Sequence, residues 1–321
     1  MRIGLFGQAP FGAAVYERLR ERGHSIVGVY GPMEKGKPDP LAEAARRDGV
    51  ALVQPTRWQR KGNIDEEAFK GYVATDPELN VMAFVTQIIP TRILDHPSHN
   101  TIQYHPSLLP KHRGRSAINH ALLQGDTETG LTIFWVDEGI DTGPVLLQKR
   151  FSIGENDTVN SLSRERFFPL GIEALADAVD LVAAGTAPRL AQDESAATYE
   201  APWEGDVAEI DWAKPAQSVH NFIRGSCRQP GAWTTVFGST VRLYDSRMVE
   251  EAGGVPGTVA AVGEDGVTIA CSDGAVCVQD AMPDGDRRRP AREWAVEADV
   301  SVGTPCGQYA QAGVRRAINS A

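Results

Sequence analysis

The stretch Arg2-Ile3-Gly4-Leu5-Phe6-Gly7-Gln8-Ala9-Pro10-Phe11-Gly12, continuing through Gly23 to Ser25-Ile26-Val27-Gly28-Val29-Tyr30, decides the fold class. Its two ends, Arg2–Phe6 and Ser25–Tyr30, are short apolar runs bounded by Gly, which reads as buried strand. Between them Ala13, Tyr16, Leu19 and Arg20 follow helical spacing over Gly12–Gly23, and Gly23 is a natural C-terminal stop. Asn80–Thr86 and Thr101–Tyr104 repeat the strand pattern, and Leu41–Asp48 supplies a second helix. Strand–helix–strand repetition predicts an α/β domain with a mostly parallel sheet. The glycines at 4, 7 and 12 miss the G-x-G-x-x-G spacing that admits a dinucleotide pyrophosphate, so this turn reads as a tight turn of the fold.

Further along the chain, Ser116–Gln124 reads as a helix with Ser116 as N-cap and Gly125 after its end. Leu131–Asp137 and Val145–Ile153 read as strands, and Thr158–Ala184 as one long helix or two, ending at Gly185. Ala187–Trp203 holds Pro188 and Pro202 and lacks periodicity, which predicts a linker. The texture then changes. After a short helix at Val219–Ile223 come five short strand patterns, Ala232–Phe237, Thr240–Tyr244, Thr258–Val262, Val267–Cys271 and Ala275–Gln279, separated by Gly- and Asp-rich turns. That spacing predicts a small β-barrel or sandwich. The expected organisation is a catalytic domain over 1–186, a linker over 187–203, a β-rich domain over 204–310 and a fraying tail over 311–321.

Composition narrows the function classes. The 321 residues suffice for two domains with sizeable cores. The formal charge of −10 argues against a dominant sequence-independent grip on nucleic acid. The four cysteines form no C-x-x-C pair and have no histidine at zinc-finger spacing, so neither a metal site nor a disulfide framework is expected. No signal peptide and no run approaching the ~20 apolar residues of a membrane span is present, which predicts a cytoplasmic protein with no membrane partner. The six tryptophans lack stacking periodicity and read as core or interface.

Two segments carry chemistry. In Gln103-Tyr104-His105-Pro106-Ser107-Leu108-Leu109-Pro110-Lys111-His112-Arg113-Gly114, His105 lies just past the carboxyl end of a predicted parallel strand, where open α/β sheets place their ligands. Pro106 and Pro110 restrict the residues before them and stiffen the loop. In Asp137-Glu138-Gly139-Ile140-Asp141-Thr142-Gly143, three acids sit between two apolar strands. A hairpin folding back on the sheet brings one of these carboxylates to His105. Such a pair fixes the histidine tautomer and raises its pKa, as acid–base work requires.

The run Tyr104–Gly114, followed by Asp141-Thr142-Gly143, resembles the signature of the folate-dependent formyltransferases. That family includes methionyl-tRNA formyltransferase, glycinamide ribonucleotide formyltransferase and the N-terminal hydrolase domain of 10-formyltetrahydrofolate dehydrogenase, and the likeness is greatest to the last. It extends through Gly7-Gln8, Arg57-Trp58, Asn80-Val81, Gln87-Ile88-Ile89-Pro90, Ser116-Ala117-Ile118-Asn119, Ile133-Phe134-Trp135 and Ala187-Pro188-Arg189-Leu190 to Ile223-Arg224-Gly225 and Pro230-Gly231-Ala232-Trp233. The length leaves no room for the fused aldehyde dehydrogenase domain of the full-length relative, so a free-standing module is expected.

The resemblance implies a Rossmann-like domain binding 10-formyltetrahydrofolate, followed by a small OB-like β-barrel. It implies that His105 is the catalytic histidine and Asp141 the essential aspartate, also in contact with the folate. It further implies that Gln87, Ile88 and Ile89 line the folate site and that no metal takes part. Protonated His105 would donate to the oxyanion formed when a nucleophile attacks the formyl carbon, with Asp141 stabilising the imidazolium and helping to take a proton. Most transferases of the family carry Asn two residues before the histidine. Here Gln103 stands there, with an amide donor one methylene further out. The expected acceptor is water or a small amine, the net charge disfavouring tRNA. Methionyl-tRNA formylation is the alternative, and a non-catalytic folate or nucleotide-sugar binding protein the alternative of another class. Lys111, His112, Arg113 and Arg115 could meet the glutamyl tail of folate or an acceptor phosphate, whereas Arg287-Arg288-Arg289 and Arg292 read as a solvated face.

Overall fold

A computed structural model describes residues 1–227, 229–249 and 253–307. Seven strands, β1 (Arg2–Gly7), β2 (Ser25–Tyr30), β3 (Ala51–Val53), β4 (Leu79–Ala83), β5 (Thr101–His105), β6 (Glu128–Trp135) and β7 (Val145–Ser152), form one sheet. Their order is β7-β6-β5-β4-β1-β2-β3. The run from β5 to β3 is parallel, with Leu5 level with Val29 on one side and Val81 on the other. β6 then runs antiparallel to β5, setting Thr132 opposite His105 and Phe134 opposite Gln103. Ile3, Leu5, Val81, Ile102 and Ile133 are fully buried along these strands. The order reverses between β1 and β4, and such a switch point opens a crevice at the carboxyl ends of the strands.

Helices α1 (Ala9–Glu21), α2 (Pro40–Asp48) and α3 (Glu66–Val73) connect the parallel strands. α1 starts before Gly12 because Pro10 suits a first helical turn, where no N–H is needed. β4 stops at Ala83, three residues earlier than its apolar run suggests, because Phe84 turns the chain with φ 62°. Helix α4 (Ala117–Leu123) follows Ser116, which takes a left-handed conformation and makes no side-chain cap. Its hydroxyl instead accepts the Trp203 N–H at 3.0 Å. The long helical pattern after Thr158 splits into a turn at Val159–Leu162, a π-turn at Ser163–Phe167 and α5 (Phe168–Ala183), with Pro169 accommodated in the first turn of α5.

The chain gathers into two units. One holds 1–114, 129–151 and 164–199, and the other holds 115–128, 152–163 and the described residues from 200 onward. Within the second, β8 (Trp233–Val236), β9 (Ser239–Val249), β10 (Val259–Gly263), β11 (Gly266–Ala270) and β12 (Ala275–Pro283) form an antiparallel sheet in the order β8-β9-β12-β11-β10. Pro305 bridges to Thr258 at one edge and Cys306 to Val236 at the other, so the segment closes the sheet as a barrel. Trp212, Ile223, Leu243, Val267, Ile269 and Val276 fill it. Helix α6 (Ala216–Gly225) extends the segment expected at Val219–Ile223, and α7 (Ala291–Glu297) lies where the arginine run reads as a solvated face. Ala291, Trp294 and Ala295 of α7 are nevertheless buried in the core. The tail expected over 311–321 lies outside the described residues, as do 308–310. No helix among the described residues is long and apolar enough to cross a membrane.

Candidate active site

His105 ends β5 with 4% of its surface exposed. Its Nε2 lies 2.8 Å from the His112 carbonyl across the loop that follows, and its Nδ1 lies 3.4 Å from Asp141 Oδ2. The loop is tied down by one buried hydroxyl. Thr132 Oγ1 donates to the Ser107 carbonyl at 2.7 Å and accepts from Leu109 N–H at 3.1 Å and from the Gln148 amide at 3.0 Å.

Asp141 comes from the turn between β6 and β7 and is 7% exposed. Within that turn Asp137 Oδ1 accepts from the Gly139 N–H and the Thr142 hydroxyl. At Gly143 a Cβ would collide with the Trp135 carbonyl, so only glycine lets the turn close on β6. Asp141 has φ 57°, in the left-handed region. Its Oδ2 accepts the Gly114 N–H at 2.8 Å, and its Oδ1 accepts from Gln103 Nε2 at 3.3 Å. Gln103, His105 and Asp141 thus converge at the carboxyl end of β5.

The electrostatics differ from the sequence expectation. Burial lowers the His105 pKa from its ordinary value and outweighs the upward pull of the Asp141 carboxylate and the His112 carbonyl. Both ring nitrogens nevertheless face acceptors, an arrangement that welcomes a second proton when one is delivered.

Gln87, Ile88 and Ile89 lie in the loop after β4. Gln87 donates its amide to the carbonyls of Pro55 and Thr56. Gln87 and Ile89 line a cleft at the carboxyl ends of β1, β2 and β4, together with Gln8, Phe6, Tyr30 and Trp58, while Ile88 is 78% exposed. The lining of this cleft does not include Gln103, His105 or Asp141.

Arg113 departs most from the sequence reading. It is fully buried, and its guanidinium holds both carboxylate oxygens of Glu194, the Tyr199 hydroxyl and the Gln192 side-chain amide oxygen, so it does not offer itself to a ligand anion. Arg288 and Arg289 are likewise engaged, Arg288 with Asp245 and Asp280, Arg289 with Asp286 and Glu297. Gln192, Glu194 and Tyr199 belong to the stretch read as a linker. That stretch carries a bridge from Leu190 to Val145 and a short strand, Tyr199–Glu200, paired with Arg113–Gly114. Its sequence has no periodic signal, because its pairing depends on Arg113 and Val145, which lie far along the chain.

The formyl transferase family model matches residues 1–179, and the formyl transferase C-terminal domain model matches residues 204–298. The mitochondrial 10-formyltetrahydrofolate dehydrogenase of Mus musculus is 46% identical over 250 residues, covering 78% of this chain and 27% of that protein. The chain therefore spans about a quarter of the length of such relatives. The methionyl-tRNA formyltransferase of Geobacter sulfurreducens is 31% identical over 315 residues, covering 96% of this chain and 97% of that protein. Among solved structures, HypX from Aquifex aeolicus in complex with tetrahydrofolic acid shares the fold, with a TM-score of 0.65 at 23% identity over 92% of this chain and 47% of that one. With both family models matched in order along one chain, and a relative alike over nearly its whole length, the chain belongs to the formyl transferase family of folate-dependent enzymes.

Proposed function

We propose that this enzyme takes the formyl group of 10-formyltetrahydrofolate and passes it to water or to the amine of a small molecule. The observation that carries the reading is the convergence of Gln103, His105 and Asp141 at the carboxyl end of β5. In this reading Gln87, Ile88 and Ile89 hold the folate, with Asp141 also in contact with it. The cleft beside them is lined by Phe6, Tyr30, Trp58 and Ile89 with two glutamine amides, and it is too narrow as it stands for a ring, so folate entry requires it to open.

When bound, the folate supplies a formyl carbon attached to nitrogen. Asp141 orients the His105 ring through Nδ1, and the neutral ring that burial favours accepts the proton released by the attacking water or amine. Asp141 stabilises the resulting imidazolium, which then returns the proton to the departing folate nitrogen. Gln103 donates an amide hydrogen to the formyl oxygen as that oxygen gains charge. With water the products are tetrahydrofolate and formate, and with an amine they are tetrahydrofolate and a formamide. No metal is required for either balance.

The likeness to methionyl-tRNA formyltransferase over nearly the whole chain favours initiator tRNA as a second acceptor reading. The formal charge of −10 and the engagement of Arg113, Arg288 and Arg289 with acids weigh against it. One experiment separates these readings. The protein is mixed with 10-formyltetrahydrofolate and water alone, a panel of amines, or initiator tRNA, and tetrahydrofolate is followed by absorbance. Turnover with the first two is expected, and His105→Ala and Asp141→Ala should each lower it by about 10²- to 10⁴-fold. Absence of turnover with every acceptor would overturn the proposal.

A further inference from the structure

We infer that Gln192 is a positioning residue, whose amide clamps the Asp141 turn to the buried Arg113 and so sets the Asp141–His105 geometry. The inference deepens the functional reading above and rests on it for its kinetic part.

The amide of Gln192 is saturated. Its two hydrogens go to the carbonyls of Asp141, at 2.9 Å, and Gly143, at 2.7 Å, which bracket the tight end of the turn. Its oxygen accepts from Arg113 Nε at 3.2 Å and Nη2 at 2.8 Å. Four hydrogen bonds are the full capacity of a carboxamide used in this way. Arg113 is itself fixed by the two-oxygen contact with Glu194, at 2.8 and 2.6 Å, and by the Tyr199 hydroxyl at 2.7 Å. The next residue, Gly114, donates its N–H to Asp141 Oδ2. Asp141 is therefore held twice from one anchor, by its carbonyl through Gln192 and by its carboxylate through Gly114.

Such holding is needed because Asp141 is an L residue in the left-handed region, a conformation that relaxes unless its surroundings fix it. The 3.4 Å gap between Asp141 Oδ2 and His105 Nδ1 leaves little tolerance, since a misplacement of about 1 Å can cost on the order of 10² in rate. No other side chain fills the role. Glutamate lacks the donors for the two carbonyls, asparagine is one methylene shorter, and an apolar residue leaves those carbonyls and the guanidinium without their partner.

The test uses the full chain carrying Gln192→Met or Gln192→Glu. The glutamate variant keeps an acceptor for Arg113 and removes the donors to the turn. Both variants should lower kcat by about 10- to 100-fold. The His105 imidazole, followed by nitrogen-detected NMR without substrate, faces Asp141 and His112. Loss of the carboxylate from its place should move its titration further down in both variants. Unchanged kcat with an unchanged His105 titration would overturn the clamp. A fall in melting temperature with an unchanged titration would also overturn it, leaving Gln192 a merely structural residue. A shifted titration in the variants of a wild type that transfers no formyl group would uphold the clamp and sink the functional reading instead.

Discussion

The side chain of Gln103 carries two amide hydrogens, and one of them is directed at Asp141 Oδ1. At 3.3 Å that bond is long for a donor to a carboxylate, so it orients more than it binds. The second hydrogen is the one a formyl oxygen would use. Gln103→Ile removes both, and single-turnover formyl transfer should fall by about 10²-fold, the usual cost of one oxyanion donor. Gln103→Asn should retain most of the rate because an amide remains on the same strand. Equal rates of transfer and hydrolysis in all three proteins would leave Gln103 as a packing residue. At this scale the sequence is legible where chemistry is concentrated in short segments, as at His105 and Asp141. It is silent where a role depends on a contact across 51 residues, as between Gln192 and Asp141. Arg113 illustrates the same limit. A loop arginine looks like an anion site until burial and the carboxylate of Glu194 are known.

At the scale of elements, the loop after β5 owes its rigidity to a strand neighbour as well as to its prolines. Thr132 stands opposite His105 on β6, fully buried, and its hydroxyl serves the Ser107 carbonyl, the Leu109 N–H and the Gln148 amide at once. Thr132→Val keeps the shape and deletes the hydroxyl, leaving those buried groups short of partners. The expected loss is about 1–3 kcal/mol of stability, the cost of buried polar groups left unsatisfied, together with a lower kcat from a loosened His105 loop. Urea unfolding checks the first expectation, and a loss below about 0.5 kcal/mol would refute it. The apolar runs predicted the strands well because period and β-branching act locally. They could not show that β6 reverses direction, that Phe84 breaks β4 early, or that Ser116 spends its hydroxyl on Trp203 instead of a cap. The reversal of β6 and the use of the Ser116 hydroxyl are settled by partners far along the chain, and the break at Phe84 by its own left-handed backbone.

At the scale of the whole molecule, each unit buries a histidine that burial holds below its ordinary pKa, His105 in the first and His220 in the second. His220 is fully buried between the Ser246 hydroxyl and the Glu155 carbonyl, and the nearby Arg224 charge pushes in the same direction as burial. In the unfolded chain a histidine titrates near about 6.5. Below that pH the unfolded chain binds protons that the folded chain refuses, so stability is fully present above the unfolded pKa and is lost as pH falls. Unfolded carboxylates titrate near about 4, so the interval from about 6.5 to 5 isolates the histidines. Each buried neutral ring contributes up to about 1.4 kcal/mol per pH unit across that interval. Urea midpoints should therefore be steady from pH 8 to 7 and fall on acidification to about 5.5, at the opposite end of the scale from a histidine whose folding partner favours its charge. His105→Ala removes one of the two contributions, and the acid slope should become shallower while the neutral-pH midpoint reports only the packing change. A midpoint that stays flat from pH 7.5 to 5.5 in the wild type would show that both rings protonate in place, and it would remove the neutral His105 on which proton acceptance from the attacking group depends.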